Sequence, residues 1–271
     1  MLVLRFLNVV APAYFLCISL VTFALQLFLF IPSMLQDPSG ATPLFSSALL
    51  HGVLFLFLSA NALGNYILVI QNSPEDLGKS VDLARGADWL DGSHSSLDSA
   101  VPGTHFCRLC ARVTQRHDHH CFFTGNCIGN RNMRNFIMFC LYTSLACLDS
   151  LVTGVAYISA VLSTSFANPL AFLTLLPRSI SQFFSGALLG SEMFVILMLY
   201  LWLGIGLACA GFCCHQVLLI VRGQTRYQVR KGMAAQARPW KKNLEEVFGK
   251  RWLLGLLIPV LNVGSDYHRQ K

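Results

Sequence analysis

Cysteine and histidine crowd into one short segment, and their spacing is that of a metal site. Cys107 and Cys110 form a C-x2-C pair, and His120 and Cys127 extend it to C-x2-C-x9-H-x6-C. Thiolates and an imidazole at such spacing are typical ligands of tetrahedral zinc, and four protein ligands make a closed structural site. The sequence therefore predicts one structural zinc ion bound by these four residues.

One cysteine of the segment, Cys121, lies outside this ligand set and follows Asp118 and His119. The three side chains could supply a nucleophile, a base that takes its proton, and a carboxylate that orients the base. Successive side chains of a strand point apart, so we expect a local bend at the metal to bring His119 to the thiol. The residue types alone leave two alternatives open: a catalytic triad, or a plain zinc ribbon with an extra cysteine.

The rest of the chain must supply a membrane framework for this segment. Of its 271 residues, 54% are hydrophobic and 12% are charged, which excludes an ordinary soluble domain. Apolar stretches almost without charge predict four membrane spans, near residues 9–31, 45–70, 136–161 and 193–221. Asp149, inside the third span, should face other helices or water rather than lipid. Residues 165–190 are apolar but interrupted by proline, and predict an interfacial or re-entrant loop.

The distribution of Lys and Arg predicts the orientation in the membrane. Seven lie between residues 71 and 134 and eleven between 222 and 271, whereas the segment 32–44 has none. The positive-inside rule then places the Cys/His segment and both termini in the cytosol. The first apolar stretch is too long for a cleavable signal peptide. Membrane attraction accounts for the net charge of +7, so no nucleic-acid partner is expected.

These patterns predict an all-α polytopic membrane protein, with four transmembrane helices and a small zinc-ribbon cytosolic domain between helices 2 and 3. In the C-terminal tail, residues 243–248 predict a short helix that stops at Gly249, and the apolar run 252–261 should lie against the membrane. The predicted parts are transmembrane helices 1 and 2 in 1–70, a flexible cytosolic linker in 71–104, the zinc-binding domain in 105–135, helices 3 and 4 with a lumenal loop in 136–221, and a cytosolic tail in 222–271.

A thiol nucleophile at the cytosolic face of a helix bundle suits a substrate with a long hydrocarbon tail and a water-soluble thioester head. Burial stabilises such a tail by about 0.8 kcal/mol per methylene. Four arginines near the predicted site have two equally favoured interpretations: they could bind coenzyme A phosphates, or they could serve membrane topology alone. They are Arg112, Arg116, Arg131 and Arg134.

Taken together, the sequence resembles the DHHC-type protein S-acyltransferases, or palmitoyltransferases, over most of its length. The matching pieces are the C-x2-C pair, the tetrad Asp118-His-His-Cys121, Cys127, the turn ending in Asn132 with Phe136, the four spans, Thr225 after the last span, and the tail motif beginning at Asn243.

The resemblance implies a role for each residue of the tetrad. Cys121 would be the acyl-carrying nucleophile, His119 the base and Asp118 its orienting partner, while His120 would bind zinc. The implied reaction is ping-pong transfer of a long-chain acyl group from fatty acyl-CoA to cysteines of membrane-associated proteins. Further implications are an acyl chain held between the spans, Asn243 tying the tail to the core, and residence in the endoplasmic reticulum or Golgi.

The sequence departs from the family pattern in ways that concern the site's framework. Relatives usually hold two zinc ions, but here no cysteine lies between Cys17 and Cys107, so one zinc is expected. The Pro-Trp pair after the tetrad is Phe122-Phe123. The Thr-Thr-x-Glu motif reads Thr225-Arg226-Tyr-Gln, and because the family's second Thr contacts the tetrad Asp, we expect Arg226 either to pair with Asp118 or to disturb it.

Two other classes of function are compatible with parts of the pattern. A weakly active or inactive relative could act as a membrane scaffold that binds client proteins, and the altered motifs favour this alternative. A zinc-ribbon module for nucleic acid on a membrane anchor is disfavoured, because basic and aromatic residues near the predicted zinc are few.

Overall fold

Long apolar helices make up most of the computed structural model, which describes residues 2–35, 47–74, 104–163, 166, 168, 170–235 and 238–249. Within these residues, four helices are long and apolar enough to cross a bilayer: Val3–Met34, Ala48–Gln71, Met133–Leu162 and Gly190–Val221. The four predicted spans are confirmed. The largest difference in bounds is at the start of the first span, where the helix begins at residue 3 rather than 9.

The described elements follow one another along the chain with two hairpins between the second and third spans. The helices are α1 (Leu2–Leu25), a π-helical stretch (Gln26–Phe30), α2 (Ile31–Leu35), α3 (Ser47–Gln71), α4 (Met133–Leu162), α5 (Leu170–Phe184), α6 (Gly190–Val221), α7 (Arg226–Arg230) and α8 (Trp240–Phe248). The strands are β1 (Thr104–Cys107), β2 (Arg112–Gln115), β3 (His119–Cys121) and β4 (Asn126–Ile128).

The chain divides into two compact units. The first contains Met1–Cys17, Asn61–Cys140 and Phe212–Lys271, and it includes the hairpins and the tail helices. The second contains Ile18–Ala60 and Leu141–Gly211.

The second unit has a hydrophobic core in which helices approach closely. Trp202, Leu199 and Phe30 are almost fully buried there, and the Trp202 indole N–H donates to the Thr22 hydroxyl at 3.0 Å. Gly154 permits the approach of α4 to α6, because a Cβ at this position would lie 2.6 Å from Leu199 Cδ2. Small residues at such crossings let apolar helices pack through van der Waals contact.

Polar groups inside the spans pair with one another, as membrane burial requires. Asp149 is buried and its carboxylate contacts the His51 ring at 2.8 Å. Gln26, in the π-helical stretch, donates to the Thr153 hydroxyl at 2.8 Å. The expectation that Asp149 faces other helices is therefore confirmed, since an ionisable group in lipid is costly.

The segment predicted as an interfacial or re-entrant loop contains a helix instead, α5, although it is too short to span. The helix continues through Pro177 because a side chain repairs the preceding turn. The Tyr200 hydroxyl accepts from the backbone N–H of Leu176 at 3.0 Å and donates to the carbonyl of Phe172. A hydroxyl inserted in this way satisfies groups that a proline distortion exposes.

The Cys/His segment forms two antiparallel hairpins, as the sequence predicts for a small ribbon. Strand β1 pairs with β2 and β3 with β4, and His120 lies opposite Cys127 in the second pair. The turn that joins β3 to β4 contains Gly125, whose φ of 59° favours glycine. At Gly129 a Cβ would lie 2.8 Å from the carbonyl oxygen of Gln115, so only glycine fits.

The tail contains the short helix expected around residues 243–248, although it begins earlier, at Trp240, and ends before Gly249. The predicted linker (71–104) lies mostly outside the described residues, and the apolar run 252–261 lies wholly outside them.

The close packing of α4 on α6 can be tested with a matched pair of glycine substitutions. Gly154→Ala should destabilise the protein by about 1–3 kcal/mol, because its methyl group would overlap Leu199 and Trp202. Gly204→Ala meets nothing within 4 Å and should be neutral or slightly stabilising. Thermal unfolding of the full chain in detergent measures both, and equal melting temperatures would contradict the close approach.

Candidate functional site

The four predicted metal ligands come together from both hairpins. Cys107 ends β1 and Cys110 lies in the turn that follows, while His120 and Cys127 are cross-strand partners in β3 and β4. Their ligand atoms all lie within 4.8 Å of one another.

Distances within this cluster fit a tetrahedral ion. The His120 Nδ1 lies 3.3 Å from the Cys110 sulfur and 3.7 Å from the sulfurs of Cys107 and Cys127. Cys110 and Cys127 sulfurs are 3.6 Å apart. Zinc bond lengths of about 2.3 Å to sulfur and 2.0 Å to nitrogen imply separations of roughly 3.5–3.8 Å between ligands. The cluster could therefore hold a metal ion of this kind.

The triad residues meet through strand alternation rather than through a bend. His119 and Cys121 are two positions apart in β3, so they share one face, whereas His120 points to the opposite face and joins the metal cluster. The expectation that the metal must bend the chain to bring His119 to the thiol was wrong. His119 hydrogen-bonds through Nδ1 to Asp118 Oδ2 at 2.7 Å, and it is close enough to Cys121 for each group to shift the pKa of the other.

Two further donors hold the Asp118 carboxylate, whose side chain is fully buried. The amide of Gln216, on α6, donates from Nε2 to Oδ2 at 2.7 Å, and the backbone N–H of Arg226 donates to Oδ1 at 2.7 Å. The Arg226 guanidinium lies instead over the Phe212 ring, 5.9 Å from its centroid. Arg226 thus contacts Asp118 through its main chain and not through an ion pair.

Hydrogen bonding sets the charge states of the triad. Burial raises the pKa of the Cys121 thiol, but the hydrogen bond and charge of His119 outweigh burial and bring the pKa below its ordinary value. Burial opposes the charged form of His119, yet its bonds to Asp118 and Cys121 raise its pKa to about 9. For Asp118, burial is outweighed by bonds from His119, Arg226 and Gln216, and its pKa is lowered. The arrangement favours a thiolate beside an imidazolium.

Phenylalanines replace the Pro-Trp pair directly after the thiol. The Phe122 ring packs against the His120 ring with centroids 5.1 Å apart. Phe123 is half exposed, and its carbonyl accepts from the Tyr66 hydroxyl at 3.0 Å. Phe123 therefore presents an exposed apolar ring two positions after Cys121 in the chain.

The three motif residues that were singled out beside the site make framework contacts. Asn132 is fully buried, accepts from the Gly129 N–H, and donates to the carbonyls of Val69 and Cys127.

Thr225 caps α7 through a reciprocal pair of bonds with Gln228. Asn243 is buried and donates to the Val221 carbonyl at the end of α6. The tail is thereby held against the last span and beside Asp118.

The four arginines predicted near the site differ in environment. Arg116 pairs with Glu246 of α8, and Arg238 lies 3.6 Å from the same carboxylate. Arg112 and Arg131 are exposed, and Arg134 is half-buried.

Two site contacts come from residues that the sequence did not single out, Asn8 and Gln216. Both are isolated amides in long apolar helices, and each reaches a residue of the tetrad. An amide among apolar residues is the signal that could have indicated them, because it is costly in a membrane span without a partner.

Comparison with known proteins points to a single family. Residues 97–233 match the family model described as DHHC palmitoyltransferase. The chain is 75% identical over 272 residues to palmitoyltransferase ZDHHC22 of Mus musculus and 76% identical over 271 residues to that of Homo sapiens, in each case over 100% of this chain and 99% of the relative. The Danio rerio protein of the same name is 50% identical over 263 residues, or 96% of this chain and 93% of the relative.

The charge state of Cys121 gives a testable prediction. Because His119 lowers the pKa of the Cys121 thiol, the thiolate fraction at a given pH should be larger than that of an ordinary cysteine and should decrease as the pH falls. His119→Ala removes the opposing charge but not the burial. Iodoacetamide should then alkylate Cys121 roughly three- to tenfold more slowly at pH 7, since lost thiolate outweighs gained nucleophilicity.

Mass spectrometry of the Cys121 peptide measures this rate. The exposed Cys214 in the same sample is the internal control and should be unaffected. An unchanged Cys121 rate in His119→Ala would contradict the ion pair.

Proposed function

Since this chain belongs to the DHHC palmitoyltransferase family and is a protein S-palmitoyltransferase, we propose that Cys121 carries the acyl group as a thioester between donor and substrate protein. The observation that carries the proposal is that His119 hydrogen-bonds to Asp118 at 2.7 Å and shares one face of β3 with Cys121, where His119 lowers the pKa of the thiol. The proposed donor is a fatty acyl-CoA, and the proposed acceptors are cysteines of membrane-associated proteins.

In the first half-reaction, the Cys121 thiolate attacks the thioester carbonyl carbon of the donor. A carbon–sulfur bond to Cys121 forms, the bond to the coenzyme A sulfur breaks, and the departing thiolate takes the proton of the His119 imidazolium. His119 is suited to this step because its pKa of about 9 keeps it protonated at neutral pH.

In the second half-reaction, neutral His119 removes the proton from a substrate cysteine. The substrate sulfur attacks the acyl carbon, and Cys121 leaves as a thiolate beside the restored imidazolium. Asp118 stays ionised throughout and stabilises the positive charge of His119 in each resting state.

The proposed metal ion is one zinc, held by Cys107, Cys110, His120 and Cys127. It would supply a structural cross-link between the two hairpins, which contain few large apolar side chains for a core. The ligand distances support this proposal.

The proposed location is the endoplasmic reticulum or Golgi membrane, with the hairpins and both termini in the cytosol. The distribution of Lys and Arg supports this orientation, and the four spans fit a multi-pass protein. Phe123, an exposed apolar residue two positions after Cys121, is suited to meet the acyl chain.

The acyl-enzyme proposal is tested with purified protein and a labelled long-chain acyl-CoA. Wild type should acquire a label that neutral hydroxylamine removes, whereas Cys121→Ser should acquire none, because the nucleophile is absent. The matched control, Cys214→Ser, removes an exposed cysteine from α6 and should label as wild type does. Equally low labelling of wild type and Cys121→Ser would reject the proposal and favour the scaffold alternative.

A second prediction concerns the support of Asp118. Gln216→Leu removes one donor to a buried carboxylate and should slow acyl transfer by about tenfold, as expected for a lost hydrogen bond to a charged group. Gln224→Leu removes an amide that donates to the Met233 carbonyl rather than to Asp118, and it should leave the rate near that of wild type. Single-turnover transfer rates, read alongside melting temperatures, distinguish a loss at the site from a loss of fold.

A further inference from the structure

The N-terminal part of the first helix contacts the metal cluster directly. Asn8 of α1 places its Oδ1 atom 2.7 Å from Nε2 of His120, whose other ring nitrogen faces the cysteine sulfurs. We propose that Asn8 is a positioning residue of the metal site, which holds His120 in the one tautomer that can bind the ion. This inference rests on the zinc site proposed above.

The hydrogen bond assigns the proton on the ring. A side-chain carbonyl oxygen can only accept, so His120 Nε2 must carry the proton that it donates to Asn8. The lone pair of neutral imidazole is then on Nδ1, the atom that lies 3.3–3.7 Å from the three sulfurs. With the amide flipped, its N–H would donate to Nε2 and favour the tautomer that is protonated at Nδ1. A protonated Nδ1 has no lone pair with which to bind the metal.

Packing of the backbone brings Asn8 to this position. The turn between β3 and β4 lies against α1, and a Cβ at Gly125 would be 3.4 Å from the Asn8 carbonyl oxygen. A Cβ at this distance would touch the Asn8 carbonyl oxygen, and the φ of 59° at Gly125 disfavours any side chain there. Two independent contacts, one to a metal ligand and one to the adjacent turn, therefore join α1 to the second hairpin.

The expected effect follows from the role of such partners in other metal sites. A carbonyl or carboxylate that accepts from the second nitrogen of a ligating His fixes the ring and raises its basicity, and its loss typically weakens metal binding by about 10- to 100-fold. Asn8 is half-buried, so in a variant without this amide, water should not fully replace its carbonyl oxygen as the acceptor for His120.

The test measures zinc release from the purified full-length protein to a chromophoric chelator. Asn8→Leu keeps the size of the side chain but has no acceptor, and it should weaken zinc binding by about 10- to 100-fold. Asn8→Asp keeps the acceptor and should hold zinc at least as tightly as wild type. Asn130→Leu, which removes a half-buried amide of the same ribbon that bonds to Gln115, should match wild type.

The outcomes separate this inference from the proposed zinc site. A wild-type protein without zinc by elemental analysis would reject both, whereas zinc-loaded wild type and Asn8→Leu with equal release would reject the role of Asn8 alone. Equal weakening in Asn8→Leu and Asn130→Leu would also overturn it, because the cause would then be general damage to the ribbon. If Asn8→Leu does not fold, Asn8→Ala makes the same comparison without added bulk.

Discussion

Alternation of side chains along a three-residue strand is the constraint on which the whole site depends. In β3, His119 and Cys121 lie on one face and His120 on the other, so the pleat separates the proposed acid–base pair from the proposed metal ligands. Pairing with β4 fixes this alternation, because the register places His120 opposite Cys127 and keeps both residues on the face of the cluster. A shift of one residue in register would exchange the two faces and put Cys121 at the metal.

The other requirement is a buried negative charge that is kept ionised. Asp118 is surrounded by protein, and a carboxylate in that setting is stable only with several donors. His119 supplies one donor from within the tetrad, Gln216 another from the last span, and the main chain at the start of α7 a third. The geometry of the triad therefore depends on α6 and α7, whose contacting residues lie 98 and 108 positions from Asp118 in the sequence.

Local patterns in the sequence were enough to predict the framework. Long apolar stretches located the four spans, because a bilayer imposes a minimum length and excludes charge. Cysteine spacing located the metal cluster, since ligands close in sequence can meet through turns alone. Pro177 misled the prediction of a loop, because the hydroxyl that bridges its turn comes from Tyr200 in another helix.

Contacts between distant segments could not be predicted in the same way. Asn8 and Gln216 have no motif around them, and only the packing of α1 and α6 beside the hairpins shows which polar group each one meets. The contact between Arg226 and Asp118 was expected to involve the guanidinium, because its charge suggested an ion pair. The structure shows a bond from the Arg226 backbone N–H instead.

That backbone contact has a consequence for how the region tolerates change. Every residue except proline has the same N–H group, so the bond to Asp118 does not depend on which side chain occupies position 226. Other side chains at position 226 should therefore leave this bond intact, provided that the Thr225 cap keeps the first turn of α7 in place. The altered residue at position 226 of the motif therefore lies where the main chain, and not the side chain, binds Asp118.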